Sequence, residues 1–586
     1  MRAASNSGID VVSSAVLVVG SGGAGLRAAI AARENGADVV VLGKRGRLDA
    51  HTSMAAGGIN AALGTVDPED SWQQHFADTM HEGYLLSHPR VAELMAREAP
   101  AAVLEVAGWG CEFARLPDGR LDQRFFGAHT WRRTCYAGDH TGRDIVDTLV
   151  RRAEALGVRF VERVYVWRLV VEDGRCAGAL AFDVRTGDRA AFVASAVVLA
   201  TGGHTSLWRT NTSRQDENHG EGMALALRAG CRLMDMELVQ FHPTGLVAPP
   251  EVAGTLVTEA VRGEGGRLYN AKGERFMSRY DSRRMELSTR DRVALANYTE
   301  IMSGRGGPNG GVFLDVSHRG RDHILERLPT MHRQLLAFQG LDISKEPMEI
   351  APTAHYSMGG IAVDPDTHAT DVPGLFAAGE CAAGLHGANR LGGNSLVDTL
   401  VFGRRSGAAA AAAAREQRGD ALPRSRDIAE GNSDLDDLIG RSTEDVGTLQ
   451  RQLREVMWRN CGVLRDETGL REGLGRLEEI RSALGPVDAG AENGWVGLGR
   501  ALDLRAALLT AEATLRCAIE RRETRGCHNR SDHRNLDPAM QRNFYARQAP
   551  EGALTVWSEP VPAVADELMP WLESARELDL SERLLE

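Results

Sequence analysis

The N-terminal part of the chain alternates apolar runs with glycine-rich turns. Residues 15–19 form an apolar run that leads into Gly-Ser-Gly-Gly-Ala-Gly, and residues 26–35 and 38–42 continue the pattern. This order predicts a strand, a tight turn, a helix and a second strand, the opening βαβ unit of a doubly wound sheet. Because such a turn at a helix N-terminus suits a pyrophosphate, we expect Gly20, Gly22 and Gly25 to contact a dinucleotide.

Two later segments repeat the pattern of a strand followed by glycine. Residues 196–199 run into Ala-Thr-Gly-Gly, and residues 374–380 read Gly-Leu-Phe-Ala-Ala-Gly-Glu before a helix predicted from Ser395 onward. Glycine lets the backbone approach a ligand closely, so both segments are expected beside the dinucleotide. The nucleotide domain is therefore predicted to be discontinuous.

These patterns predict an α/β fold of several domains. Residues 1–242 and 351–425 are expected to form a Rossmann-like nucleotide-binding domain, interrupted by an inserted α+β capping domain at 243–350. Charged amphipathic segments such as 434–458 and 502–522 predict a C-terminal helical domain over 426–540. The prolines that follow predict an extended tail over 541–586.

Composition narrows the class of protein. With 586 residues, 43% hydrophobic content and 65 glycines, the chain can bury a large core. The sequence contains no apolar stretch of about 18 residues, and the alanine run at 408–414 is too short to span a bilayer. The first 14 residues are mostly small and polar, so a secretory signal is not expected, and we predict a cytoplasmic protein. A net charge of -12 without a long basic stripe argues against nucleic-acid binding.

The eight cysteines are widely spaced and include no C-x-x-C pair. This spacing does not support a disulfide framework, an iron–sulfur cluster, a haem or a zinc site, and reduced core thiols are the simpler interpretation. No metal site is predicted. Any redox centre that exchanges electrons with the dinucleotide is therefore expected on another chain.

Six charged or imidazole side chains form a candidate site for a small diacid. All but one lie in glycine-rich or proline-bearing segments: His242, Glu259, Arg262, Arg290, His355 and Arg390. Two histidines and several arginines can neutralise two carboxylates, while a glutamate among arginines stays ionised and can pass protons. Structural ion pairs would explain any one of these residues, but they explain the whole set poorly.

The type of dinucleotide follows from what stands after the second predicted strand. An acidic residue that would bind a ribose is expected there, but the sequence has Gly43 and Lys44. This weakens the case for NAD and favours FAD. Glu380, in the third strand–glycine segment, is then a later candidate for the ribose hydroxyls.

Five motifs together resemble one known family. They are His-Thr-Ser-Met-Ala-Ala-Gly-Gly at 51–58, His-Pro-Thr-Gly at 242–245, Thr-Glu-Ala-Val-Arg-Gly-Glu-Gly-Gly at 258–266, His-Tyr-Ser-Met-Gly-Gly at 355–360 and His-Gly-Ala-Asn-Arg-Leu-Gly-Gly-Asn-Ser-Leu at 386–396. From about residue 15 to about residue 535, the chain resembles the flavoprotein subunit of succinate dehydrogenase and fumarate reductase. On its own, His51 would pass for a surface or capping histidine. The resemblance implies instead that it carries FAD covalently, beside the further cofactor contacts Lys44, Thr52, Gly57, Gly58, Glu221, Ser395 and Leu396.

The same resemblance assigns roles to the diacid site. It implies that the substrate carboxylates are held by His242, Thr258, His355 and Arg390. Arg290 would exchange a proton with the substrate, and Glu259 and Arg262 would relay that proton. Arginine is normally too basic for this role, so neighbouring charges must tune it. The reaction implied is the interconversion of succinate and fumarate, with a hydride exchanged between substrate and flavin.

One position separates this interpretation from its main alternative, an enzyme similar to L-aspartate oxidase. Phe126 lies in Gln-Arg-Phe-Phe-Gly, where the resemblance places a side chain beside the substrate. The oxidase has an acidic residue there for the substrate ammonium, and it holds its flavin without a covalent bond. Phe126 and His51 therefore favour a plain dicarboxylate, although Phe126 could also be a core residue. A second alternative is a flavin-bearing assembly protein without catalysis, which the retained site residues disfavour.

The sequence departs from the family pattern at two places that the resemblance puts near the flavin, where side chains affect its redox potential. Ala56 stands where familiar members have Gln or Glu near the flavin, and Thr524 and Cys527 replace the usual Ser and Ala. The resemblance leaves the direction of catalysis open. The electron partner that it implies is an iron–sulfur subunit, with a membrane anchor and a quinone beyond it. The chain would then lie peripherally at the inner face of the cell membrane.

Overall fold

The computed structural model describes residues 3–4, 10–417, 425–440, 445–486 and 494–574, and it confirms the α/β fold. The largest sheet has eight strands, and its central strands are parallel. In spatial order the main path is Arg159–Glu162, Val39–Gly43, Asp10–Val19, Arg189–Leu199, Arg175–Asp183 and Val164–Glu172, with Ala3–Ala4 beside Asp10–Val19 and Leu375–Ala377 beside Arg189–Leu199. The central strands are almost wholly apolar, as expected for strands covered on both faces.

The first strand leads into the glycine turn and the helix Gly23–Glu34, which begins three residues before the predicted start at Leu26. Gly20 has a φ of 115°, and a Cβ atom on Gly25 would lie 1.9 Å from the Gly20 carbonyl oxygen. Only glycine permits this close approach of helix and turn. The helix has no side-chain cap at Gly22, and its first N–H group, that of Gly23, donates to Thr52 Oγ1.

The helix Asn394–Glu416 packs against Gly23–Glu34 through small residues. A Cβ atom on Gly407 would lie 2.1 Å from the carbonyl oxygen of Ala28, so glycine allows the two backbones to touch. The alanine run at 408–414 belongs to this buried contact. Within the described ranges, no helix combines the length and apolarity needed to cross a membrane.

A second, antiparallel sheet contains four strands and has its own apolar core. Its strands are Val239–Leu246, Met348–Ser357, Val312–Asp315 and Arg267–Tyr269. The helix Arg290–Glu300 packs on the first of these strands, which brings Arg290 beside the strand that carries His242. The insertion also contains the helices Ala260–Gly263, Arg321–Arg327 and Pro329–Gln339.

The C-terminal part is helical up to residue 520. Its helices are Ser425–Asp436, Val446–Asn460, Glu467–Ala483 and Gly494–Glu520. The sequence predicts one amphipathic segment over 434–458, but the structure describes two helices there, and residues 441–444 lie outside the described residues. The last helix begins before the predicted residue 502. The remaining helices precede this part: Trp72–Glu82, Pro89–Gly108, Thr141–Ala155 and Glu221–Ala229.

The predicted extended tail differs from what the structure describes. Strands Arg542–Gln548 and Leu554–Pro560 form an antiparallel hairpin, which joins Leu233–Met234 and Gly360–Ile361 in a four-stranded sheet. The reason is burial of alternate side chains, such as Phe544 and Ala546, against the main core. The proline pattern did not reveal this alternation. A helix, Met569–Ser574, ends the described chain, and a small sheet pairs Ile59–Asn60, Thr134–Cys135 and Gln123–Arg124.

Candidate active site

One cavity of about 690 Å³ runs from the glycine turn of the main sheet to the antiparallel sheet of the insertion. Such a volume is typical of a cofactor or ligand site. Of the twenty residues predicted for the site, all but Gly25 and Arg262 line this cavity. Gly25 instead supports the turn, and Arg262 is buried behind Glu259. The fold therefore brings the predicted cofactor contacts and the predicted diacid site into one cavity.

The cofactor end of the cavity is built from close backbone approaches. The Gly23 N–H donates to Thr52 Oγ1 at 3.1 Å, which ties the helix N-terminus to the segment that carries His51. A Cβ atom on Gly203 would lie 2.5 Å from Glu380 Oε1, and that oxygen accepts from the Ser357 N–H at 3.0 Å. A helix N-terminus without a side-chain cap and a glycine-lined wall fit the pyrophosphate of FAD.

Lys44 and Glu221 border the cavity as an ion pair. Lys44 Nζ lies 3.0 Å from Glu221 Oε1 and 2.7 Å from Asp503 Oδ1. Burial lowers the pKa of Lys44, but the charges of Asp503 and Glu221 outweigh this effect and raise it. The ammonium charge is therefore already compensated by protein carboxylates. Asp503 belongs to the helix Gly494–Glu520, so this pair also ties the helical part to the nucleotide cavity.

His51 starts a short 3₁₀ turn, His51–Met54, in the cavity wall. Its Nδ1 lies 2.7 Å from Glu217 Oε1. Burial lowers the pKa of His51, but the hydrogen bond and charge of Glu217 outweigh it and raise the pKa. Burial likewise raises the pKa of Glu217, and the bond to His51 overcomes it, so that the pKa falls to about 2. With Nδ1 engaged by a carboxylate, Nε2 is the ring nitrogen left for another partner.

Arg290 is held by a carboxylate and an amide. Its Nε and Nη2 lie 2.8 and 2.7 Å from Glu259 Oε2, and its Nη1 donates to Gln240 Oε1 at 3.1 Å. Arg262 Nη2 lies 3.8 Å from the same carboxylate oxygen. Burial raises the pKa of Glu259, but the charges of Arg290 and Arg262 outweigh it and lower the pKa to about 2. Glu259 is therefore ionised between two guanidinium groups.

Arg390 also lines the cavity and shares a hydrogen-bond acceptor with Arg290. Its Nη1 donates to Ser395 Oγ at 3.0 Å, and its Nη2 donates to Gln240 Oε1 at 3.1 Å. Its guanidinium carbon stands 4.4 Å from the ring centroid of Tyr356, a cation–π contact. Burial, and then the charge of Arg290, lower the pKa of Arg390 to about 10. It remains charged at neutral pH.

The two predicted histidines lie together and are neutral. The ring centroids of His242 and His355 are 5.2 Å apart. Burial lowers the pKa of both rings well below the usual value, and the charges of Arg290 and Arg390 add to this effect. The Thr244 N–H donates to His242 Nδ1 at 3.3 Å, so in the neutral ring the proton lies on Nε2. His355 Nδ1 lies 3.0 Å from Thr212 Oγ1, which leaves its Nε2 for a ligand.

The six side chains predicted for the diacid site carry two net positive charges. Arg262, Arg290 and Arg390 contribute three positive charges, Glu259 contributes one negative charge, and both histidines are neutral. A buried site with this excess favours a ligand of two negative charges. A plain dicarboxylate has that charge, whereas an amino dicarboxylate with a protonated amine has one less.

Phe126 lines the cavity beside Arg290 and is 7% exposed. A Cβ atom on Gly57 would lie 3.1 Å from Phe126 Cζ, and one on Gly392 would lie 3.2 Å from Arg290 Nη2 and 3.3 Å from Phe126 Cδ2. Glycine at both positions lets the aromatic ring and the guanidinium reach the same wall. Phe126 therefore presents an apolar surface next to Arg290.

The three residues that depart from the family pattern, Ala56, Thr524 and Cys527, make different contacts in the structure. Ala56 lines the cavity, and Arg124 Nη2 donates to the carbonyl oxygens of Ala56 and Gly57. Thr524 Oγ1 donates to the His533 carbonyl at 2.9 Å, which fits a turn-forming role. Cys527 is buried, and its Sγ lies 3.3 Å from Asn389 Oδ1, directly behind Arg390. Each of the eight cysteines is buried and free, which agrees with their interpretation as core thiols.

Sequence reasoning did not identify several polar partners of the site. They are Glu217, Gln240, Thr212, Thr244 and Asp503. Thr244 could have been found, because it follows His242 by two residues within the His-Pro-Thr-Gly motif. Glu217 lies in a turn-rich segment without a pattern, and Asp503 lies far along the chain, so only the folded structure brings them to the site.

Comparisons with known proteins agree with this geometry. The family model described as "FAD binding domain" matches residues 15–396, and that described as "Fumarate reductase flavoprotein C-term" matches residues 450–565. One subunit of the fumarate reductase (CoM/CoB) of Methanothermobacter marburgensis is 43% identical, over 90% of this chain and 96% of the relative. The succinate dehydrogenase flavoprotein subunit of Rickettsia conorii is 38% identical, over 88% of this chain and 90% of the relative.

A solved structure gives the same result. Sdh1 of Mycobacterium smegmatis, solved in complex with UQ1, superposes with a TM-score of 0.87 and 40% identity, covering 98% of each chain. The two family models together, and each of the three relatives by itself, extend over most of the described fold. The chain therefore belongs to the FAD-binding flavoprotein subunits of the succinate dehydrogenase and fumarate reductase family.

Proposed function

We propose that this chain interconverts succinate and fumarate, as the FAD-bearing subunit of a larger electron-transfer complex. The observation that carries this proposal is a buried site with two net positive charges at one end of a cavity whose other end fits FAD. Three arginines, one glutamate and two neutral histidines produce that charge. The dianions of succinate and fumarate match it in charge and in their two separate carboxylates.

In this proposal the substrate carboxylates are bound by four side chains. Arg390 supplies the permanent charge, and Ser395 and Gln240 fix its guanidinium from behind. His242 donates from Nε2, because the Thr244 N–H occupies its Nδ1. His355 presents its Nε2 to the substrate, because Thr212 Oγ1 engages its Nδ1. Thr258, on the cavity wall, provides a hydroxyl donor.

Arg290 is proposed as the proton donor and acceptor. Arg290 lines the cavity, and its Nε and Nη2 contact the ionised Glu259. Deprotonation of an arginine needs neighbouring positive charge, and Arg262 and Arg390 both lie in the same buried site. Glu259 can accept a proton from Arg290. Arg262 is already protonated, so it can take up that proton only as it releases one of its own to solvent, and the two side chains would then form a relay away from the substrate.

Bound FAD supplies the two-electron acceptor or donor of the reaction. The chain would hold its pyrophosphate at Gly20, Gly22 and the start of the helix Gly23–Glu34, and its ribose at Glu380. Thr52, Gly57, Gly58, Ser395 and Leu396 form further parts of the wall. We propose that His51 attaches the flavin covalently through Nε2, since Glu217 engages its Nδ1 at 2.7 Å.

Electrons have to leave or enter through another chain. The eight cysteines are widely spaced and include no C-x-x-C pair, so the sequence gives no support to a cluster in this chain. We therefore propose that the direct partner is an iron–sulfur subunit, with a membrane anchor beyond it, which would place the chain at the inner face of the cell membrane. The names of two relatives include different compounds, CoM/CoB in one and UQ1 in the other. The proposal therefore rests on the substrate pair and does not depend on a quinone.

The test is an anaerobic assay with purified protein and artificial electron dyes. We expect fumarate to oxidise a reduced viologen, and succinate to reduce an oxidised dye, with malonate as a competitive inhibitor of both. L-Aspartate is the discriminating control, because an oxidase-type enzyme would accept it as reductant. Turnover of aspartate without turnover of succinate or fumarate would overturn the proposal.

A further inference from the structure

One buried amide joins the two arginines that face the substrate end of the cavity. Gln240 is fully buried, and its Oε1 accepts from Arg290 Nη1 and from Arg390 Nη2, each at 3.1 Å. Two like charges therefore share one neutral acceptor. Because the amide oxygen carries partial negative charge, it offsets part of the repulsion between the two guanidinium groups and sets their separation.

The orientation of this amide is imposed from a second layer of residues. Gln240 Nε2 donates to Asn389 Oδ1 at 2.7 Å and to the Arg390 carbonyl at 2.9 Å. Asn389 Nδ2 in turn donates to Glu82 Oε1 at 2.6 Å and to Asp291 Oδ1 at 3.0 Å. Since these carboxyl oxygens accept and the guanidinium groups only donate, every hydrogen bond along the series has a fixed direction.

We propose that Gln240 is a positioning residue, which holds Arg290 and Arg390 at the separation and orientation needed for proton transfer and carboxylate binding. Asn389, Glu82 and Asp291 fix the direction of its amide. This inference rests on the proposed function, because it assigns separate tasks in succinate–fumarate interconversion to the two arginines. It also gives a role to Glu82, a buried carboxyl group that the reaction itself does not use.

If Gln240 positions the two arginines, its amide oxygen also affects their charge, which a glutamine with a purely structural role would not do. The amide oxygen stabilises the charged forms of both arginines, while burial and the charge of Arg290 already lower the pKa of Arg390 to about 10. Removing the oxygen should lower the pKa of Arg390 further. Replacing it by a carboxylate should raise the pKa of Arg390, because the carboxylate bears a full negative charge.

The experiment compares Gln240→Met, Gln240→Glu and the control Gln74→Met in the full-length protein. Gln74 is equally buried, and its Nε2 donates to Asp78 Oδ1 at 2.9 Å and Thr130 Oγ1 at 3.2 Å, outside the cavity lining. The measurements are kcat and KM for fumarate from neutral to alkaline pH, and the Kd of malonate. Thermal unfolding of all variants reports the cost of losing a buried amide.

We expect Gln240→Met to lower kcat by roughly tenfold to 100-fold, since small misplacements of reacting groups have effects of this size. In this variant the alkaline limb of the pH profile, where kcat/KM falls as the pH rises, should move to lower pH. Gln240→Glu should move that limb to higher pH, and it should raise the KM for fumarate and the Kd of malonate by roughly tenfold, because the site loses one net positive charge. Gln74→Met should leave all these quantities within about twofold of the wild type while lowering the unfolding temperature.

The proposal is overturned if both Gln240 variants keep the wild-type pH profile and a kcat within about threefold, whatever their unfolding temperatures. Shifts of the alkaline limb in the same direction in both variants would also overturn it, since the argument requires opposite signs. A wild-type protein that neither binds malonate nor reduces fumarate would refute the proposed function instead. The two failures are therefore distinguishable.

Discussion

The different surroundings of Arg290 and Arg390 predict different consequences for the same Arg→Lys substitution. Arg290 contacts Glu259 through Nε and Nη2 and Gln240 through Nη1. Lysine keeps the charge but has a single nitrogen, so it cannot hold both partners in the plane of a guanidinium. The cation should remain in the site while the proton-transfer geometry is lost.

The expected magnitudes follow from these contacts. For Arg290→Lys, loss of general acid–base catalysis lowers kcat by ~10² to ~10⁴, while retention of the charge keeps the Kd of malonate within about tenfold, or ~1.4 kcal/mol. For Arg390→Lys, one hydrogen bond to a substrate carboxylate is lost, at ~1.5 to ~3 kcal/mol for a charged partner. The Kd of malonate should then rise roughly 10-fold to 150-fold, with a smaller change in kcat.

The assay is a pair of measurements on each variant: saturating turnover of fumarate with a reduced viologen, and malonate binding followed by the flavin absorbance. The wild type and both variants should show similar thermal unfolding, because both substitutions conserve charge. The reasoning is refuted if Arg290→Lys turns over within about fivefold of the wild type. A loss confined to kcat in Arg390→Lys would contradict the assignment of that residue to carboxylate binding.

Three further predictions concern the cofactor, the specificity and the pH range. His51→Ala should release its flavin on acid precipitation, whereas the wild-type pellet should stay yellow and fluorescent; free flavin in the wild-type supernatant would disprove the covalent link. Phe126→Asp should weaken malonate binding at least roughly tenfold, because it places a like charge beside the substrate, while Phe126→Leu should bind within about threefold of the wild type; equal binding by Phe126→Asp would remove Phe126 from the substrate wall. Acidification should destabilise the fold, because burial lowers the pKa of His75 to about 3 and that of His129 and His204 to about 4. At these three histidines the unfolded chain then binds more protons, so their contribution to stability is constant above about pH 6.5 and falls below it, by about 2 kcal/mol per histidine at pH 5 as an upper value. An unfolding temperature that is the same at pH 7.5 and pH 5 would contradict this origin.

The sequence predicted the parts of the structure that local pattern determines. The strand, the turn and the helix around Gly20 and Gly25 were foreseeable, because glycine spacing and apolar periodicity are both read within a few residues. The α/β fold and the family were confirmed by the structure and the comparisons. The hairpin of Arg542–Gln548 and Leu554–Pro560 was missed, because its stability comes from burial of Phe544 and Ala546 against distant core residues.

The residues of the site also divide into those that a local motif predicts and those that depend on a partner distant in sequence. His242, Glu259 and Arg390 stand in motifs that can be recognised in the sequence, and the structure brings them to one cavity. Glu217 and Gln240 could not be assigned, since each acts through a partner that is distant in sequence: His51 and Glu217 are separated by 166 positions, and Gln240 and Arg390 by 150. Lys44 was predicted as a cofactor contact, and its ion pairs with Glu221 and Asp503 appear only in the structure.

A single-turnover measurement tests the central claim most directly. The purified flavoprotein is reduced anaerobically with dithionite, freed from excess reductant, and mixed with fumarate while the flavin absorbance is followed. The account predicts that one equivalent of fumarate restores the oxidised flavin spectrum and yields one equivalent of succinate, and that L-aspartate does not reduce the oxidised protein. A flavin that stays reduced in the presence of fumarate, or one that L-aspartate reduces, would contradict the account.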